Sequence, residues 1–221
     1  MKKILVIAPH PDDETLGCGG YLLRQKAEEN EVSWLIITTM EGDDRWHPSQ
    51  VKKRANEIGI VGSLYGFKNV VQLQFPPGRL DTVAMDDLVG AIGEVIKDIA
   101  PEVLLMPHPG DAHTDHAVVF KASVACIKWF RYPSVKRALC YETISETDFG
   151  YSKLPNFVPN YFIDISRFLQ KKIDILNTYS SEIHDFPFPR SIVAVRALSE
   201  LRGAESGFLA AESFSLILHR E

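Results

Sequence analysis

The sequence has few cysteines, no long apolar run and no excess of positive charge. Its three cysteines, Cys18, Cys126 and Cys140, are odd in number and widely spaced, which excludes a disulfide framework and a cysteine-based zinc finger. No apolar run is long enough to span a membrane, and the run that follows Lys3 is too short for a signal peptide. The net charge of -5 argues against a nucleic-acid-binding protein. These absences favour a cytoplasmic protein with neither a nucleic-acid nor a membrane partner.

Apolar runs and amphipathic segments alternate along the chain. With 221 residues, 45% hydrophobic and 24% charged, the chain can bury a substantial core, and it contains no linker, repeat or low-complexity tract. We therefore expect residues 1–221 to form a single α/β domain, Rossmann-like, with a mainly parallel sheet and helices on both faces. The predicted strands are 3–8, 32–39, 69–75, 103–106, 136–143, 161–165 and 213–219, the predicted helices are 14–29, 49–66 (capped by Ser49), 85–100, one from about 115, 166–181 and 189–202, and 149–159 is a loop.

Three glycines lie in the first predicted helix. Gly17, Gly19 and Gly20 do not form the GxGxxG fingerprint, and they lie within the helix instead of before it. A dinucleotide site is therefore not expected. We predict that these glycines let the helix pack closely on the sheet.

A group of ligand-type side chains follows the first predicted strand. His10-Pro11-Asp12-Asp13-Glu14 places three carboxylates and an imidazole within five residues, where like charges repel. A divalent cation would convert this repulsion into coordination. The alternative is that Asp12 or Asp13 only caps the following helix.

A second group, residues 107–116, follows the fourth predicted strand. Parallel strands carry their sites at their carboxyl ends, so the two groups should converge on one sheet edge. A catalytic zinc needs three nitrogen or oxygen ligands and one position for water. His10, Asp13 and one of His113 or His116 could supply these ligands, and a carboxylate outside the coordination shell could accept a proton from the water.

These motifs resemble those of the PIG-L-type (LmbE-like) zinc N-deacetylases. Residues 10–14 resemble the HPDDE signature of that family, and Asp111-Ala112-His113-Thr114-Asp115-His116 resembles its Asp-x-His-Pro-Asp-His motif, with Thr114 where proline is usual. Weaker similarities bring the resemblance to nearly the whole chain, and they lie at residues 54–57, 77–80, 161–172 and 211–214.

The resemblance implies a reaction and a role for each site residue. A water on the one zinc or similar divalent ion of the chain would attack an acetamide carbonyl, and acetate and a free amine would leave. The expected substrate is a small amino-sugar conjugate carrying N-acetylglucosamine (GlcNAc), and a homo-oligomer is compatible with the resemblance. The implied roles are zinc ligands His10, Asp13 and His116; general base Asp12; His113 stabilising the oxyanion or protonating the leaving amine; Asp115 hydrogen-bonding His113 and favouring its charged form; and Arg54 contacting substrate.

Two alternative functions and several other residues remain open. The motifs also suit a zinc amidase or deformylase that acts on another small amide, or a non-catalytic metal-dependent sugar-binding module. Trp46 and His47 could line a sugar pocket, although a solvated loop is the simpler interpretation. His184 could reach the site, whereas we expect a structural turn at His108 and a packing role for Cys18.

Overall fold

Strands and helices alternate in the computed structural model, which describes residues 1–151 and 155–221. The boundaries lie close to those expected from the apolar pattern. The strands are β1 (Lys3–Ala8), β2 (Glu31–Thr38), β3 (Val70–Phe75), β4 (Val103–Met106), β5 (Arg137–Tyr141), β6 (Tyr161–Asp164) and β7 (Ala211–His219), and the helices are α1 (Asp13–Ala27), α2 (Pro48–Tyr65), α3 (Met85–Ile99), α4 (Thr114–Ala125), α5 (Leu169–Leu176) and α6 (Ile192–Ser206).

The strands form one sheet in the order β3-β2-β1-β4-β5-β7-β6. The first five in this order are parallel, and β7 runs antiparallel to both β5 and β6. The predicted α/β fold with a mainly parallel sheet is confirmed. Because β1 and β4 are neighbours at the point where the strand order reverses, their carboxyl ends open into a shared crevice. The two ligand-rich motifs follow these two strands.

The central strands are buried on both faces because helices cover each side. Along β1, Ile4 and Val6 belong to one apolar cluster, with residues of α1, α2 and α6, whereas Leu5 and Ile7 belong to another, with residues of α3 and α4. This alternation follows from the two-residue period of a strand. The two clusters hold the central strands between them.

Close packing of α1 on the sheet depends on its glycines, as predicted. A Cβ atom at Gly17 would lie 2.3 Å from the ring of Tyr141, and one at Gly20 would lie 2.7 Å from Ile165. Larger residues at either position would push α1 away from the sheet. The glycines therefore hold the first turn of α1, with its carboxylates, against the end of β1.

Three of the sequence expectations need correction. Helix α5 spans only Leu169–Leu176, because Ser166 bonds to Asp164 through both its backbone N–H and its hydroxyl, in a turn before the helix. Helix α2 is capped by His47 and not by Ser49, since His47 Nδ1 accepts the Ser49 N–H at 3.2 Å. Helix α6 runs over Ile192–Ser206 instead of 189–202. Of the predicted loop 149–159, residues 152–154 lie outside the described residues.

Within residues 1–151 and 155–221, no helix combines the length and the apolar character that a membrane crossing requires.

Candidate active site

The first motif forms a tight turn between β1 and α1. Asp12 has a φ angle of 132°, a strained conformation for a residue with a side chain. Two contacts hold it there. The Asp12 N–H donates to Glu14 Oε2 at 3.0 Å, and Arg54 Nη1 donates to the Pro11 carbonyl oxygen at 2.8 Å. The buried Glu14 is held in turn by the hydroxyl groups of Thr15 and Tyr179. The strained turn thus points the carboxylates of Asp12 and Asp13 in different directions.

Three side chains from the two motifs meet at the sheet edge. Asp13 Oδ2 lies 3.4 Å from His10 Nδ1 and 3.3 Å from His116 Nε2. An ion with four tetrahedral ligands about 2.0–2.1 Å away keeps those ligands about 3.3–3.4 Å apart. Both distances from Asp13 therefore match those between ligands of one tetrahedral cation, and the ligand atoms of the three residues all lie within 4.8 Å of one another, as a potential metal-binding group.

A carboxylate orients each of the two histidines. His10 Nε2 lies 2.9 Å from Asp115 Oδ2, and His116 Nδ1 lies 2.7 Å from Asp111 Oδ2. These contacts leave the other nitrogen of each ring facing Asp13. His116 Nε2 is buried and has no hydrogen-bond partner among the described residues. Carboxylate-braced imidazoles with a free inner nitrogen are typical of zinc sites, so these residues fit a zinc-type ion.

A second potential grouping consists of His10, His113 and Asp115. In this grouping the Asp115 carboxylate already accepts hydrogen bonds from the backbone N–H groups of Gly78, at 2.7 Å, and Leu80, at 3.1 Å, besides its contact with His10. The oxygens of Asp115 therefore already have hydrogen-bond partners, and the carboxylate supports His10. The grouping around Asp13 is the better cation site.

The charges of the buried groups depend strongly on each other. Burial lowers the pKa of His10, but its contacts with Asp115 and Asp13 outweigh burial and raise it to about 9. Burial also opposes the charged form of His116, yet Asp13 and Asp111 raise its pKa well above the usual value. The pKa of Asp12 is raised by burial and by the charge of Asp13. A divalent cation would replace the protons on the histidines, so binding should release protons.

His113 hydrogen-bonds with Asp115, as expected, but through the backbone of Asp115. Its Nδ1 accepts the backbone N–H of Asp115 at 3.1 Å, at the start of α4, while the Asp115 carboxylate contacts His10. Burial, followed by the nearby charges of His10 and His116, lowers the pKa of His113 to about 4. Asp115 does favour the charged form of His113, as expected, but burial and the charges of His10 and His116 outweigh its effect on the pKa. The neutral ring carries its proton on Nε2, because Nδ1 is an acceptor.

These residues lie at the floor of a cleft with a volume of about 380 Å³. Trp46 and Arg45 enter it from the loop between β2 and α2, and Glu182 and Arg190 enter it from the loop between α5 and α6. Glu146 follows β5, and its carboxylate accepts a hydrogen bond from the backbone N–H of His113 at 3.1 Å. Sequence reasoning assigned no role to Arg45, Glu146, Glu182 or Arg190, because no motif or periodic pattern marks them.

Arg54 lines the cleft, as a substrate contact must, but its three nitrogens already have protein partners. Besides the Pro11 carbonyl, it pairs through Nη2 with Glu182, and its Nε lies 3.3 Å from Glu57. Its guanidinium also lies over the ring of Tyr179. These contacts support a role in holding the turn of the first motif, and contact with substrate stays a prediction.

The other singled-out residues have ordinary positions, except for Trp46. Trp46 lines the cleft, so part of the loop that we interpreted as solvated belongs to the site. His108 is buried and pairs with the Pro155 carbonyl oxygen at 2.9 Å, which confirms its structural role. His184 is exposed and packs on Phe188. Cys18 lies in the core, as expected.

Comparison with known proteins relates the chain to enzymes. A model of the family described as PIG-L, GlcNAc-PI de-N-acetylase, matches residues 5–127, more than half of the chain. This match confirms the resemblance predicted from the two motifs. The diacetylchitobiose deacetylase of Thermococcus kodakarensis is 25% identical over 98% of this chain and 84% of its own length.

Solved structures share the whole architecture. The conserved protein TT1542 of Thermus thermophilus superposes with a TM-score of 0.80 at 26% identity and covers 100% of this chain and 97% of its own. The N,N'-diacetylchitobiose deacetylase of Pyrococcus horikoshii, complexed with an inhibitor, also gives a TM-score of 0.80, at 19% identity, over 98% of this chain and 84% of its own. The second likeness shows the fold alone.

Proposed function

This chain belongs to the PIG-L family, and from that premise we propose that it is a zinc-dependent N-deacetylase of a small GlcNAc-containing molecule. As a member it is an amide hydrolase acting on carbon–nitrogen bonds other than peptide bonds. The proposal adds the metal, the acetyl group, the roles of the residues and the cytoplasmic location.

One observation carries the proposal. His10, Asp13 and His116 present three ligand atoms within 4.8 Å of one another at the floor of the cleft, while Asp12, which is 5% exposed, lies outside that group. A protein that only binds a sugar through a metal needs no additional base and no oriented donor. Asp12 and His113 therefore favour catalysis over a sugar-binding module.

The residues of the chain support amide hydrolysis in three ways. A zinc ion held by His10, Asp13 and His116 would act as a Lewis acid and make water nucleophilic near neutral pH. Asp12 accepts the proton that the attacking water loses, and later delivers it to the leaving nitrogen. His113 donates its Nε2–H to the carbonyl oxygen as negative charge develops there, in a geometry fixed by the Asp115 N–H. The products are acetate and a free amine.

The substrate follows from the relatives and from the size of the cleft. A cleft of about 380 Å³ is within the range of about 300–1,000 Å³ that is usual for small-molecule sites. The named relative acts on diacetylchitobiose, a compound of two N-acetylglucosamine units. We infer that this chain deacetylates a soluble conjugate of similar size at its 2-acetamido group.

Acyl release from a substrate panel tests the proposal. Zinc-loaded protein is incubated with GlcNAc, N,N'-diacetylchitobiose, an inositol-linked GlcNAc and N-formylglucosamine, and acetate and formate are measured separately. We expect acetate from at least one conjugate and none from protein treated with a chelator. Formate release without acetate from any amino sugar would instead support the deformylase alternative.

A further inference from the structure

The arginines of the cleft already face carboxylates. Among the residues that the structure describes, three arginines line the cleft. Arg45 Nε lies 2.9 Å from both carboxylate oxygens of Asp43, and Arg54 pairs with Glu182. Arg190 Nη1 lies 3.4 Å from Asp12 Oδ2 and 3.4 Å from Glu182 Oε2. Within the described chain, the cleft thus has no arginine whose charge is uncompensated.

An anionic substrate group would disturb this balance. To contact Arg190 or Arg54, a carboxylate or phosphate would have to compete with Glu182 or Asp12, both of which lie in the same cleft. The displaced carboxylate would remain in a partly buried site without its partner, which costs binding free energy. A hydroxyl group can join such an ion pair as donor to the carboxylate and acceptor from the guanidinium, and it leaves the charges paired.

Arg190 has fewer protein partners than Arg54. In the described chain only Nη1 of Arg190 has polar partners, Nε is buried without one, and Nη2 is the group that can donate to a ligand. Its side chain is 24% exposed, compared with 12% for Arg54. Arg190 can therefore donate to a ligand without giving up its present contacts.

Trp46 provides an apolar surface in the same cleft. Its loop is anchored because Arg45 Nη2 donates to the Pro77 carbonyl oxygen at 2.8 Å and His47 caps α2. The half-buried indole lines the cleft between these anchors. The face of an aromatic ring is suited to ligands that present an apolar face of C–H groups, as sugar rings do.

From these contacts, and resting on the proposed function, we propose that the cleft holds a subsite for an uncharged, hydroxyl-rich ring joined to the glucosamine. Arg190 and Glu182 bind its hydroxyl groups, and Trp46 packs against its face. The subsite selects against conjugates that carry a carboxylate or phosphate at this ring, because such groups disrupt the Arg190–Glu182 and Arg54–Glu182 pairs.

Two matched disaccharides test this selectivity. GlcNAc joined to glucose and GlcNAc joined through the same linkage to glucuronic acid differ only in one carboxylate. We expect kcat/KM for acetate release to be about tenfold higher for the glucose compound, as displacement of one paired carboxylate implies. Equal values, or a preference for the glucuronic acid compound, would overturn the inference.

Glu182→Gln supplies the decisive variant. Loss of this carboxylate leaves Arg190 with less compensation, so the preference for the glucose compound should shrink several-fold. Glu205→Gln is the matched control, since Glu205 also pairs with an arginine, Arg202, but outside the cleft, and it should leave the preference unchanged. Arg190→Lys, which keeps the charge and removes the planar donors, should reduce the advantage of the glucose compound over free GlcNAc. An unchanged preference in correctly folded Glu182→Gln would contradict the proposal.

Calorimetric binding of both disaccharides to the zinc-loaded protein separates this inference from the proposed function. Tighter binding of the glucose compound without acetate release would refute the deacetylase function and retain the subsite. Acetate release from both compounds with equal affinity would retain the function and refute the subsite.

Discussion

The floor of the cleft and its rim are built in different ways. The floor comprises residues 10–13 and 111–116, from two short motifs, and His10 and His116 are each braced by a buried carboxylate. The rim comprises the loops 40–47 and 177–191, and its charged side chains are partly exposed and held mainly by ion pairs. Partly exposed ion pairs contribute little to stability. Under the proposed function, we expect the floor to determine the reaction and the more exposed rim to determine the choice of substrate.

Removal of a floor ligand should have the largest effect. His116→Ala should reduce bound zinc from one ion per chain towards none and abolish turnover, because two ligands cannot hold the ion in place of three. Metal analysis after dialysis, together with acetate release, measures both quantities. His219→Ala, an exposed histidine at the end of β7, is the control and should retain metal and activity. Full zinc stoichiometry in His116→Ala would exclude this ligand set.

Asp12→Asn should separate the base from the ligands. The variant should keep its zinc, because Asp12 lies outside the ligand group, and lose about 10²–10⁴ in kcat, the usual effect of removing a general base. Metal content and kcat are measured on the same preparation. Near-normal kcat would show that another group accepts the proton.

Asp111→Asn tests the carboxylate that supports His116, and we expect a smaller effect than for the preceding variants. The Asn side chain can no longer accept a charge-assisted hydrogen bond from His116 Nδ1, so zinc affinity should fall about 10–100-fold. Competition with a fluorescent chelator measures the affinity. Asp98→Asn on the exposed face of α3 should bind zinc normally. If both variants bound zinc equally well, Asp111 would have no role in the site.

A rim substitution should have the smallest effect and should appear in a different kinetic parameter. Trp46→Ala should raise KM for a disaccharide substrate about three- to tenfold with little change in kcat, since an aromatic contact is worth about 0.5–1.5 kcal/mol. Trp129→Ala, which removes an exposed tryptophan outside the cleft, is the control. A loss of kcat as large as that expected for Asp12→Asn would contradict the division between floor and rim.

The amino-acid sequence alone determined the fold class and the location of the floor. Alternating apolar segments predict the parallel sheet, and the two motifs follow β1 and β4, whose carboxyl ends must share an edge. The glycines of α1 indicated its close packing on the sheet. These features are readable because each depends on local order along the chain: a period, a spacing or a contiguous motif.

Only the tertiary structure decided which partner each floor residue has. The Asp115 carboxylate contacts His10, 105 residues away in sequence, and not the nearby His113, which receives the Asp115 backbone N–H instead. Which histidine the Asp115 carboxylate contacts depends on the direction of the Asp115 side chain at the start of α4. No spacing in the sequence encodes that direction.

The tertiary structure also decided the rim. Glu182 and Arg190 come from an irregular loop that reaches the cleft because α5 packs beside α1 while α6 packs on α5 and β7. Their ion pairs with Arg54 and Asp12 join residues 128 and 178 positions apart. Such contacts follow from the packing of the whole chain, because loops without periodicity take their positions from the elements that they connect.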